Sequence, residues 1–391
     1  MPRKSLSCAL ARALLLNSFV ILISLTASAR GEEVIFTNHA PRFFGASSCA
    51  SSSCHGGGGQ NQNQFHVWSL RDFHSQRPFA TLTTARSKQI GDALQIKDTS
   101  SDSRCASCHA PLREVVESRR GEAFKVSEGV SCESCHGAAE NWLRGHTRPD
   151  WTHADRVFAG MRDLKNIYVR ANTCVACHQT VETPLLRAGH PELIFELDGQ
   201  GVSEPKHWRE ATNWSGAQTW FVGQAVALRE MSWQISREGM QDEKLISRWR
   251  ALLWLLQKLD GLNVEFPKLK EISTDVSSAS ISLVLKTSDD LSQRAAAIDW
   301  TDSMSCQALK KLSATAEEFQ KPEASLQIQL RRAERLVIAL ERLSACCEKH
   351  STGVVIESRL DRLFALVQSP PDFDHRQFSE AIRQFYDSLK Q

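Results

Sequence analysis

Gly129-Val-Ser-Cys132-Glu-Ser-Cys135-His136-Gly137 sets two cysteines three residues apart and follows the second at once with a histidine. The same device occurs three more times: Cys105-Ala-Ser-Cys108-His109, Cys174-Val-Ala-Cys177-His178 and, with four intervening residues, Cys49-Ala-Ser-Ser-Ser-Cys54-His55. C-x-x-C-H is the attachment site of c-type haem. The chemistry dictates the spacing. Two thiols must reach two vinyl groups on one porphyrin edge, while the next side chain brings an imidazole nitrogen onto the iron. A two-residue spacer makes a turn that does this. The four-residue spacer makes a wider loop, which Ala50 and three serines allow to bulge.

Structural zinc and a disulfide framework use the same residue types. Neither requires a histidine after every cysteine pair. With His at 13 of 391 positions, four such coincidences arise by chance roughly once in a million, which favours haem. Eight of the twelve Cys and eleven of the thirteen His lie between His39 and His207. Each iron takes one imidazole from its motif and has a second axial position to fill. His39, His66, His74, His146, His153, His190 and His207 are available there, against one methionine, Met161. Bis-histidine ligation is therefore expected at most sites.

Outside this region the chain is ordinary. The N-terminus reads as a secretory signal peptide over 1–29: Pro2, Arg3 and Lys4, then an apolar stretch through Leu14–Leu25, then Ala27-Ser28-Ala29. The rival reading is an uncleaved anchor. No other stretch approaches a membrane span, so none is expected in the mature chain. The length allows about two domains. A net charge of +2 and a pI near 8.0 give no reason to expect a nucleic-acid partner.

Residues 30–215 are rich in Gly, Ser and Asn and show few long amphipathic patterns. Four porphyrins would supply the apolar surface that this polypeptide lacks. The Gly56–Gln64 tract reads as a flexible surface loop. Residues 216–391 read as an α-helical domain. Trp220–Leu259 predicts one or two helices, and 262–290, with Pro267 and many Ser and Thr, a linker holding one short strand at Ile281–Leu285. Further helices are expected at Leu291–Phe319, Pro322–Lys349 (Pro322 suiting the first helical position), Ile356–Val367 and His375–Leu389. The Leu326, Leu330, Ala333, Val337, Leu340 and Leu343 stripe reads as a core face. Trp208, Trp214 and Trp300 read as core or haem-packing residues. Cys306 could pair with Cys346 or Cys347, with free buried thiols as the default.

From about Phe44 to Trp208 the chain resembles the tetrahaem c-type cytochromes related to the electron acceptor of hydroxylamine oxidoreductase, and larger exported proteins built on that module. The resemblance rests on Ser48-Cys49 to Cys54-His55-Gly56-Gly57, Trp68-Ser-Leu-Arg-Asp72-Phe73-His74, Gly129 to Gly137, Trp142-Leu-Arg-Gly-His146 and Ala188-Gly189-His190-Pro191. It implies His74, His146 and His190 as distal ligands, with His207 as a fourth candidate and His39, His66 and His153 behind it. It also implies a mainly α fold: a haem-rich multihaem module with little regular structure, followed by the helical domain. The expected cofactors are four haem c groups on Cys49, Cys54, Cys105, Cys108, Cys132, Cys135, Cys174 and Cys177. Their proximal ligands are His55, His109, His136 and His178.

The function these readings imply is periplasmic electron transfer between redox partner proteins, with no catalytic residue assigned. The alternative is a redox enzyme that acts on a small nitrogen or oxygen compound at one open iron. On these ligand assignments the open iron falls at the His109 or the His178 motif, because His207 is the least certain of the four. Mass spectrometry of the mature protein after acid-acetone extraction should find four retained haems and no signal peptide. Zero haems with zinc bound would overturn the reading, and three would single out the Cys49 motif.

Overall fold

The three C-x-x-C-H motifs end helices. The computed structural model describes residues 40–321, 325–347, 353–368 and 370–390. The expected signal peptide, His39, Pro322 and Lys349 lie outside the described residues. Short helices carry the first part: α1 (Gln64–Arg71), α2 (Gln76–Thr81), α3 (Ala85–Ala93), α4 (Ser103–His109), α5 (Cys132–His136), α6 (His153–Phe158), α7 (Ile167–His178), α8 (Thr183–Arg187) and α9 (Leu197–Ser203). Helices α4, α5 and α7 each terminate on a motif histidine, so the two cysteines, at i and i+3, share one helix face. Asp102 and Asn166 cap α4 and α7 through side-chain oxygens, and Ser131 caps α5 in a reciprocal pair with Ser134. Among the described residues, β structure is limited to one isolated bridge, Phe43 with Arg120.

The expanded motif is closed by backbone. His55 N donates to Cys49 O at 3.2 Å, and both Cys54 N and Gly56 N donate to Ser51 O at 2.9 Å. A Cβ on Gly56 would lie 1.9 Å from Ala50 O, so this loop admits only glycine there. Gly129 is similarly constrained. It has φ +70°, and a Cβ on it would meet Ser75 O at 2.1 Å. That close approach lets Val130 N donate to His74 O (2.9 Å) and Trp68 Nε1 donate to Val130 O (3.1 Å).

Longer helices follow: α10 (Gly216–Glu238), α11 (Glu243–Lys258), α12 (Ser278–Ala297), α13 (Asp302–Ser313), α14 (Ala316–Gln320), α15 (Leu326–Ala345), α16 (Gly353–Val367) and α17 (His375–Ser388). Helix α10 is buried almost all round through its first half, as expected of a central helix. Its polar side chains are paired. Gln218 Nε2 donates to Ala295 O and Ile298 O at 2.8 and 2.9 Å, and Ser232 Oγ accepts from Trp249 Nε1 at 2.8 Å. Along the α15 stripe Ala333, Val337, Leu340 and Leu343 are fully buried, whereas Leu326 is exposed. Trp300 packs against Phe221 in this core.

Three expectations are corrected. Ile281–Leu285 is not a strand but lies inside α12, where Ile281, Val284, Leu291 and Ala295 form the buried stripe. The serines that suggested a linker are helical residues that bond backward. Ser288 Oγ donates to Val284 O at 2.6 Å, and Ser277 with Ser280 caps the N-terminus. Residues 262–277 are packed rather than loose: Leu269 is fully buried, and Gln257 Nε2 donates to Leu269 O and Ile272 O. Cys306 forms a disulfide with Cys347, joining α13 to the end of α15 in place of the expected free thiols.

The helical core does not begin at residue 216. Ala171 and Val175 of α7, with Phe195 and Leu197, belong to the same apolar cluster as α10–α12 and α15–α17. Tyr168 Oη donates to Asp289 Oδ1 (2.8 Å), which also accepts from Arg229 Nη1 (2.7 Å). The helix bearing the fourth motif is thus seated on the C-terminal helices. Residues 41–391 form one compact unit.

Elsewhere the first part is held by polar stitching. Glu133, inside the third motif, is only 2% exposed. Its carboxylate accepts from the backbone N–H of Phe44 (3.0 Å), Gly45 (2.7 Å) and Ala139 (2.8 Å). Glu133→Ala would strand three donors. It should lower stability by at least about 2 kcal/mol in denaturant unfolding, with Glu133→Gln recovering part of the loss. An unchanged midpoint would refute this role.

Candidate haem-binding site

Histidines from distant parts of the chain face one another across one cavity of about 2220 Å³. Ordinary small-molecule pockets reach about 1,000 Å³. Its wall includes His55, His74, His109, His136, His146, His178, His190 and His207, together with seven of the eight motif cysteines. Trp208 and Trp214 also line it.

Three pairs of rings are apposed. His55 and His146 stack with centroids 6.0 Å apart and an interplanar angle of 21°. His74 faces His178 at 5.9 Å, and His109 faces His190 at 6.5 Å. Two imidazoles that bind one metal ion from opposite sides at about 2 Å have centroids about 6 Å apart. Each apposed pair joins one motif histidine to one further histidine, as bis-histidine haem requires. The residues present therefore fit the cofactor.

The outer nitrogens of these rings are largely occupied. Nδ1 of His55 meets Gln64 Oε1 (3.0 Å), that of His109 meets Pro78 O (2.9 Å), that of His146 meets Leu143 O (2.7 Å) and that of His190 meets Pro191 O (2.8 Å). His178 differs: its Nδ1 lies 3.4 Å from the amide nitrogen of Gln200, a donor. An acceptor on Nδ1 fixes the tautomer that leaves Nε2 as the ligand atom. Gln64 closes the tract expected to be a plain surface loop, so that tract helps to orient His55.

His74 has the strongest partner. Its Nδ1 lies 3.0 Å from Asp72 Oδ1 and 3.8 Å from Glu204. The Asp72 hydrogen bond holds the imidazole pKa above its ordinary value. Burial pulls the Asp72 carboxyl upward, but its hydrogen bonds with His74 outweigh that and hold it low. Burial pushes Glu204 up to about 7.

His136 and His207 are not brought into ring contact. Burial lowers the His136 pKa to about 4. His207 packs edge-on against Trp208 at 5.2 Å and is also shifted down by burial. His66 turns away to Gly56 O (2.9 Å), and His153, half exposed, lies 3.2 Å from Asp163.

The cysteines also pair across motifs. Cys49 lies within hydrogen-bonding reach of Cys132, and Cys108 within reach of Cys177. The contact from Cys177 holds the Cys108 thiol down at about 7. Burial pushes Cys135 up to about 11 and Cys174 to about 12. None of the eight motif cysteines is in a disulfide. Among the described residues, the one His, Cys, Asp and Glu group close enough to hold a single ion is Asp72, His74 and Glu204, which contains no cysteine.

Asp72, Glu204, Gln64 and Glu133 were given no role in the sequence reading. Only Asp72 carried a signal, two residues before a candidate ligand. Among the described residues no helix is long and apolar enough to cross a membrane.

Neither a curated protein nor a solved structure matches the chain. Residues 48–137 match the model of the family cytochrome c554 and c-prime, a span that takes in the first three motifs and ends on the glycine after His136. Over those residues the chain is similar to a family of c-type cytochromes.

Proposed function

We propose that this protein is an exported, periplasmic tetrahaem c-type cytochrome that relays electrons between redox partner proteins. The observation that carries the reading is the apposition of three histidine pairs at 5.9–6.5 Å across a cavity that all four motifs line. When bound, haem supplies one-electron redox chemistry. The chain's part is to hold, orient and space the groups. His55 with His146, His109 with His190, and His178 with His74 are assigned as axial pairs. His136 and His207 are assigned to the remaining iron.

The thiol contacts support a spatial order that differs from chain order. The first motif adjoins the third through Cys49 and Cys132, and the second adjoins the fourth through Cys108 and Cys177. Cys135 of the third motif is near enough to act electrostatically on Cys174 and Cys177 of the fourth. The route reads first, third, fourth, second. We assign residues 216–391 a structural role, as the seat of the fourth motif's helix.

The second reading, an enzyme with one open iron, is favoured at a different position from the one the sequence suggested. His109 and His178 both have a facing ring. Among the described residues His136 has none within comparable distance, which makes the third motif the candidate.

His146→Ala or His190→Ala should convert one low-spin haem to high-spin in low-temperature EPR while all haems stay attached, because thioether bonds do not depend on the distal ligand. Unchanged spectra in both variants would refute the axial pairs. His66→Ala and His153→Ala should leave the spectra as they are. For a pure carrier, carbon monoxide should not move the spectrum of the reduced protein. A shift of one haem in four, with turnover of hydroxylamine or nitrite, would establish the enzyme reading instead.

A further inference from the structure

Away from the haem cavity, three arginines converge on a small internal space. Arg248 of α11 and Arg331 and Arg335 of α15 line it, with Glu334, Ile194 and Ala251. Its volume is about 10 Å³, on the order of what one water-sized particle needs.

The charges around it do not balance. Glu192 takes Arg248 Nε at 2.7 Å and Arg331 Nη2 at 3.2 Å, and Glu334 takes Arg331 Nη1 at 2.9 Å. Glu192 and Glu334 thus pair with Arg248 and Arg331 and leave Arg335 outside the ion pairs. Arg335, only 6% exposed, has no carboxylate within ion-pair distance among the described residues. Its Nη1 donates to neutral acceptors, Gln224 Oε1 (3.1 Å) and Phe195 O (3.4 Å). Its Nη2 is buried and has no hydrogen-bond partner. Buried charges are ordinarily paired, because an unpaired one forfeits hydration with no return. Burial lowers the Arg335 pKa to about 10, which leaves the group charged at neutral pH.

We propose that Arg248, Arg331 and Arg335 enclose a binding site for a single monatomic anion, chloride, which neutralises Arg335. The space suits a monatomic ion better than a polyatomic one, and Arg335, whose buried Nη2 has no partner, is among the residues that line it. Hydrogen bonds lead from the site to the fourth motif. Arg335 bonds Phe195 O, Phe195 N donates to Gln179 Oε1 at 3.3 Å, and Gln179 directly follows His178.

Crystals of the full haem-loaded chain soaked in bromide, with data collected at the bromine edge, should give an anomalous peak among the three guanidinium groups. A cavity that holds only water would overturn the proposal. In solution, replacing gluconate by chloride at constant ionic strength should raise Tm saturably. Arg335→Met should abolish that dependence. If Arg335→Met does not accumulate, Arg335→Lys, which offers its charge with a different donor geometry, should weaken the chloride response several-fold. Equal Tm in the two salts, or a chloride response that survives at Arg335→Met, would count against the site. The bromide experiment needs no variant and is independent of the haem assignment.

Discussion

Two imidazoles that share one iron must stand about 6 Å apart, and much of the first half of this chain is arranged to meet that distance. The apposed rings come from segments far apart in sequence: His55 with His146, His74 with His178, His109 with His190. Each proposed iron is therefore a long-range crosslink as well as a redox centre. The apolar clusters here are small: Ile90 with Val181 and Leu185, and Ala139 with Trp142 and Ala159. Clusters of that size stabilise little against chain entropy. A region so poor in core would be stabilised by the porphyrin faces and axial bonds of the proposed haems.

The C-terminal helices meet the opposite condition. They contain a continuous apolar core with Trp220, Trp249, Phe319 and Phe378 fully buried, and a disulfide between α13 and the end of α15. Helix α7 belongs to both parts. Its Ala171 and Val175 are core residues, and its C-terminal end supplies Cys174, Cys177 and His178. The tyrosine, aspartate and arginine contact among Tyr168, Asp289 and Arg229 fixes α7 against α10 and α12. Of the four motifs, the fourth is thus backed by a protein core, whereas the first sits on a glycine-dependent loop.

What was legible in the sequence was what local chemistry fixes. Thioether attachment needs two thiols and an imidazole at short spacing, so the motifs could be read directly. Helices with a clear 3.6-residue stripe, such as Leu326–Ala345, were equally plain. Helix α12 was not, because its buried serines satisfy their hydroxyls on backbone carbonyls one turn back and look like loop residues to a polarity count. Distal ligands are set by tertiary distance alone. His74, His146 and His190 rested on resemblance, and their pairing with particular motifs had no local signature. Glu133 was hidden for another reason: the spacer positions of C-x-x-C-H are chemically free, and only the folded chain brings Phe44 and Gly45 to its carboxylate.

The third motif differs from the others in a way that bears on both functional readings. Its helix is tied down at both ends, by the Ser131 and Ser134 cap and by Arg162, whose side chain donates to Ser134 O and Cys135 O and whose backbone N–H donates to His136 O. The backbone around His136 is therefore held. His207 sits after Pro205 on the segment between α9 and α10, against Trp208, and is not held by any such cap. In the proposed order the third motif's iron is an inner member of the route, next to the first and the fourth. A carrier would keep His207 bound there so that electrons pass without diversion. An enzyme would release it, with neighbouring irons on both sides able to deliver electrons. The two functions thus differ in the position of one histidine on one loop, and not in the architecture that surrounds it.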